Sequence, residues 1–96
     1  MAKLKTTAFD ASEYLETEEA QARFLADAFE EGDPAYIAHA IGIVAKARGM
    51  TKVARDAEVT REALYRALSS DGDPRLSTLM GVMRSLGLKL TVTAGA

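Results

Sequence analysis

Thr60, Arg61, Glu62, Tyr65 and Arg66 are residue types that can read the edges of base pairs, and they fall within two helical turns. In a helix starting after Thr60, Arg61, Glu62, Tyr65, Arg66 and Ser69 would all point outward. An arginine can fork onto guanine O6 and N7, the commonest specific contact in the major groove. Arg61, early on the helix, is better placed for that contact, whereas Arg66 suits a phosphate. Tyr65 has two competing roles, touching a thymine methyl or phosphate, or packing beside Leu64. Glu62 could accept from cytosine N4, or serve as a solvated carboxylate at a helix start. Thr51 and Lys52 lie where backbone N–H groups and an ammonium would hold phosphate, and Ser69 and Arg75 are further phosphate candidates. Contacts of this second kind orient a duplex and carry no sequence information.

Two short helices and a corner must position these residues. Within TKVARDAEVTREALYRALS, from Thr51 to Ser69, the apolar spacing is not that of one helix. Val53 to Ala57 fits one helical face, and Leu64, Ala67 and Leu68 fit another. Val59 lies between them as a corner plug. Thr60 supplies the hydroxyl that accepts an orphan N–H where the second helix begins.

The remaining chain reads as further helices and one extended segment. Met1 to Ala8 has no helical period and is an expected loose arm. Asp10 and Glu13 form a capping-box pair, and Phe9 with Tyr14 a hydrophobic staple, so a short helix is expected to end near Glu16. Thr17 caps a second helix from Glu18 to Glu31, with Gly32 at its C-terminal turn. Asp33-Pro34 opens the next helix, whose stripe of Ile37, Ala40, Ile41, Val44 and Ala45 runs to Gly49. Ser69 to Pro74 is a loop. Leu76, Leu79, Met80, Met83 and Leu86 mark a last helical stripe before Gly87. Leu88 to Thr93 alternates apolar and polar residues as a strand does. An isolated strand needs a partner, and the same strand in a second copy would supply it through Leu88, Leu90 and Val92. A frayed tail is the alternative. Gly42 is read as a site of close helix approach.

Composition narrows the chemistry. A chain of 96 residues, 48% hydrophobic and 27% charged, suits one globular domain with a modest core. It contains no cysteine and one histidine. His39 has no metal-ligand companions and is expected at the surface, so neither a metal nor a cofactor is expected. Glu18-Glu19 and Glu30-Glu31 are adjacent on a helix and diverge, which does not suit acid–base catalysis. No nucleophile, base and orienting group can be assembled, and no enzymatic activity is expected. No apolar run approaches the ~20 residues of a membrane span, and no signal-peptide pattern opens the chain, so a cytoplasmic location is the default. Net charge is −2 overall, but nine acids against three bases up to Ala40 give −6, and nine bases against five acids thereafter give +4. Such a split suits two different partners, one half repelling what the other attracts, or an ordinary mixed surface.

Val53-Ala54, Ala57, Val59, Leu64 and Ala67 resemble the helix-turn-helix pattern of phage repressors. Glu58 departs from it, because that family usually has glycine at the corner. A left-handed backbone there costs a non-glycine residue roughly 1 kcal/mol. Over nearly the whole chain, FDASEYL, the acidic helix ending EEGDP, IGIVAKARGMTKVARDAEVTREALYRALS and DGDPRLSTLMGVMRSLGLKL resemble the addiction-module antidote proteins. The resemblance implies an all-α, phage-repressor-like helix-turn-helix bundle with extra N-terminal helices and a short C-terminal β-strand. It implies one domain over 1–96, with acidic helices in 1–32, a DNA-binding core in 33–87 and a dimer strand in 88–93. It further implies a homodimer that neutralises a small RelE/ParE-like toxin and represses its own operon at double-stranded operator DNA. An acidic face carrying Glu18, Glu19, Glu30 and Glu31 would suit a basic, RNA-directed toxin. A stand-alone regulator without a toxin, and a protein-interaction module without DNA binding, are the two alternatives.

Overall fold

The computed structural model describes residues 16–95, and the arm and the first expected helix lie outside them. Among the described residues are five helices: α1 (Glu18–Glu31), α2 (Pro34–Arg48), α3 (Met50–Asp56), α4 (Arg61–Ala67) and α5 (Leu76–Ser85). None of them is long and apolar enough to cross a membrane.

Local chemistry sets the boundaries of the first two. The Thr17 hydroxyl oxygen accepts from the Ala20 N–H at 3.0 Å, with Glu18 and Glu19 in the first turn of α1. At its other end Gly32 adopts φ 77°, and its N–H reaches the Ala28 carbonyl at 3.4 Å. Asp33 Oδ1 accepts from Ala35 N–H at 3.3 Å, and Pro34 begins α2.

Helix α2 is the central element, burying Ala38, Ala40, Ile41, Gly42, Val44 and Ala45. It packs against α1 on one side and α3 on the other, and α3 also packs on α4 and α5. Leu25, Ile41, Val44, Val53, Leu64, Val82 and Leu86 meet in one core, each at most 2% exposed. Gly42 lets α2 and the end of α4 approach closely, since a Cβ there would lie 2.8 Å from the Leu68 carbonyl oxygen.

The last helical stripe differs from its sequence reading. Leu79 is half-buried, but Leu76 is 71% and Met80 43% exposed, and Val82 takes the central place at 0%. Only about three turns of α5 are available, and the core faces its C-terminal half. Leu76 therefore projects beyond the layer its side chain was expected to join.

The C-terminal segment is also corrected. Gly87 (φ 73°) turns the chain, and Leu88 N–H bonds to the Met83 carbonyl at 2.9 Å. From there on 88–95 has no secondary structure: among the described residues its backbone finds no ladder partner. The expected strand is therefore absent among the described residues, because a strand exists only with a neighbour to bond. The alternation survives in burial, with Leu88 and Leu90 half-buried against the core, Lys89 and Thr91 exposed, and Val92 93% exposed.

Candidate nucleic-acid interface

The interface candidates hang on α3, the corner after it, and α4. Val53 and Ala54 anchor α3 in the core, while Thr51, Lys52 and Arg55 face solvent. Lys52 Nζ contacts Asp56 Oδ2 at 2.9 Å, and Ser85 Oγ donates to the same oxygen at 2.7 Å. These two hydrogen bonds, Lys52's first, hold the Asp56 carboxyl below its ordinary pKa. They also link α3 to the end of α5. Lys52, expected at a phosphate, is thus partnered within its own helix.

At the corner, Glu58 takes the left-handed backbone with φ 62°, the conformation for which glycine was expected. Glu58 N–H bonds to Arg55 O at 3.1 Å and Val59 N–H to Ala54 O at 3.0 Å, closing the turn. Val59 packs half-buried on the core, as a plug should. A Cβ on Gly81 would lie 3.0 Å from Ala57 Cα, so the corner rests directly on α5.

Thr60 caps α4: its hydroxyl oxygen accepts from the Ala63 N–H at 3.0 Å. Leu64 anchors the helix at 0% exposure, with Ala63 and Ala67 half-buried beside it. Arg61, Glu62, Tyr65 and Arg66 are consequently all exposed. Arg61 and Tyr65 are brought together, with Arg61 Nη2 donating to the Tyr65 hydroxyl at 3.4 Å and its guanidinium 5.5 Å from the ring centroid. That phenol raises the guanidinium's already high pKa. Glu62 lies in the first turn and Arg66 in the last. Ser69 is half-buried, and its hydroxyl donates to the Arg66 carbonyl at 2.9 Å, so it closes the helix end. Arg75 stands exposed at the entrance to α5.

Two residues counted in the sequence only as charges have definite places. Lys46 Nζ lies 5.7 Å from the Tyr65 ring centroid, so α2 adds a cation beside α4. Arg48 Nη1 donates to Gln21 Oε1 at 2.7 Å and to the Leu86 carbonyl at 3.0 Å, and Nη2 lies 3.6 Å from Glu18 Oε2. Both belong to the last turn of α2, where cations suit the helix dipole. That signal places them at the helix end without indicating their partners.

Of the four expected toxin contacts, Glu18 is engaged with Arg48, while Glu19, Glu30 and Glu31 are exposed on α1. Among the described residues no three His, Cys, Asp or Glu side chains form a group that could hold a metal.

The surface around α4 therefore offers arginines, a hydroxyl, a phenol and a neighbouring lysine on a helix fixed from behind by Leu64. Such a face can hydrogen-bond base edges and phosphate oxygens. The chain matches the family described as "Probable addiction module antidote protein" over residues 5–94. It is 42% identical over 84 residues to an uncharacterized protein of Haemophilus influenzae, covering 88% of this chain and 87% of that protein. No solved structure matches it. With the match running through nearly all of its length, the chain belongs to the addiction module antidote family.

Proposed function

We propose that this antidote is a cytoplasmic antitoxin that neutralises a small RelE/ParE-like toxin and represses its own operon. In this reading α3 and α4 form a helix-turn-helix of the phage-repressor type. Residues 33–87 serve as the DNA-binding core and the acidic N-terminal region serves the toxin. The observation that carries the DNA half is the capped, exposed α4 with Arg61 held against Tyr65. Arg61 reads guanine, Thr60, Glu62 and Tyr65 complete the groove contacts, and Arg66, at the far end of α4, meets phosphate. Thr51, Lys52, Ser69 and Arg75 fall at its margins, where phosphates run, and Lys46 extends that margin.

Operator recognition of this kind uses a dimer whose α4 helices enter successive major grooves about 34 Å apart. The segment 88–93, whose backbone beyond Leu88 makes no hydrogen bond among the described residues, supplies the dimer contact by backbone pairing at Leu88, Leu90 and Val92. Its β-structure then forms only across the two-fold axis.

Binding of the chain to the DNA preceding its own operon, titrated against salt, tests this. Arg61→Ala should lower affinity for the cognate site and relax base preference at one position per half-site. Arg66→Ala should weaken all DNA alike and reduce the salt slope by about 1 per phosphate contact removed. Unchanged binding in both variants would refute the assignment of α4.

A further inference from the structure

Helix α1 and the C-terminal segment enclose an open groove of about 420 Å³ that no contact within the described residues fills. Ala22, Ala26 and Phe29 line one wall, Leu88 and Leu90 the other, with the carboxylate of Glu30 on the α1 side and one cation, Lys89, on the C-terminal side. Ala22 and Ala26 are exposed although apolar, while Phe29, Leu88 and Leu90 are only half-buried. The neighbouring backbone of 89–93 makes no hydrogen bond among the described residues. Helix α1 carries five carboxylates against the single cation Arg23. Glu19 and Glu30 are eleven residues apart, hence about 20° apart around the helix, and they share the groove's side. Glu31 lies about 180° from Ala22, on the far side.

We infer that this groove is where the module's toxin docks, by an apolar segment flanked by lysine or arginine. The inference rests on the antitoxin reading and narrows its acidic face to one groove. Charge selects the occupant. A second copy brought against the same wall would set carboxylates against carboxylates, whereas a basic partner pairs with Glu19 and Glu30 while its apolar residues cover Ala22, Ala26 and Phe29. Strand pairing in the dimer uses the backbone of 88–93, and the groove uses α1 with the Leu88 and Leu90 side chains, so the two uses are compatible. Glu18, engaged with Arg48, and Glu31, facing away, drop out of the contact.

The test is binding of the full chain to the purified toxin encoded in the same module, by calorimetry at several salt concentrations. Ala26→Gln lengthens a groove side chain without charge and keeps a good helix former. It should weaken binding about tenfold, as should Glu30→Lys, with a reduced salt dependence in the latter. Glu31→Lys makes the same charge change on the far side and should stay within about twofold of the parent. Light scattering of each free variant should show an unchanged oligomeric state. Parent-like toxin binding by both Ala26→Gln and Glu30→Lys would overturn the groove assignment. So would variants that alter self-association and leave toxin affinity alone, which would make the groove an interface between copies. Absence of binding by the parent chain would instead refute the antitoxin reading itself.

Discussion

Tyr65 sits where two cations converge, Arg61 from its own helix and Lys46 from α2. Both contacts are exposed and therefore weak, but together they restrain the side chains around the Tyr65 ring. The sequence left Tyr65 divided between packing and contact; the structure has it 40% exposed, with Arg61 against its hydroxyl and ring. If it positions Arg61, Tyr65→Ala should cost about tenfold at the cognate operator and much less on unrelated DNA. Tyr65→Phe keeps the ring and loses one long hydrogen bond, so about twofold is expected. Equal losses on both DNAs would mean that Tyr65 contacts the backbone directly. A gel-shift or anisotropy comparison of the two duplexes distinguishes these outcomes.

At the scale of elements, the corner between α3 and α4 is held open at an energetic cost. Glu58 at φ 62° is the only non-glycine residue with positive φ among those described. Replacing it with glycine relieves about 1 kcal/mol of steric strain and adds a smaller cost in unfolded-chain entropy. Glu58→Gly should therefore raise the melting temperature by about 2 °C, while Glu58→Ala, which keeps a Cβ, should not. Thermal unfolding by circular dichroism measures both. Element ends were legible from Thr17, Asp33-Pro34 and Thr60 because capping is a short-range interaction between residues two or three apart. The exposed Leu76 and Met80 were not, since periodicity names a face and cannot say how far along it the core extends.

For the molecule as a whole, Arg48 does what no local pattern announces. It joins the start of α1 through Glu18 and Gln21 to the end of α5 at the Leu86 carbonyl. Gln21 is 3% exposed, so the hydrogen bond it accepts from Arg48 is sheltered from water. Arg48→Met preserves the aliphatic stem and deletes these bonds, and should lower stability by about 2 kcal/mol in denaturant unfolding. Glu18→Gln should cost under about 1 kcal/mol, because that side chain is 64% exposed and its ion pair is long. A larger loss for Glu18→Gln than for Arg48→Met would invert the proposed hierarchy.

By itself the sequence determined the helices α1 to α5 in outline, the corner with its strained residue, and the outward set on α4. Each depends on interactions within a few residues, where side-chain type and spacing suffice. Tertiary structure decided which charges are already engaged: Lys52 with Asp56, Glu18 with Arg48, Lys46 beside Tyr65. The Lys52 and Asp56 pair was at least within reach of helical spacing. The other two join residues on different helices, and no local rule relates them. The groove beside α1 belongs to the same class, because it exists only where 88–93 folds back along a helix more than fifty residues earlier. The expected strand marks the opposite limit, since its alternation is written in the sequence while among the described residues its backbone has no ladder partner.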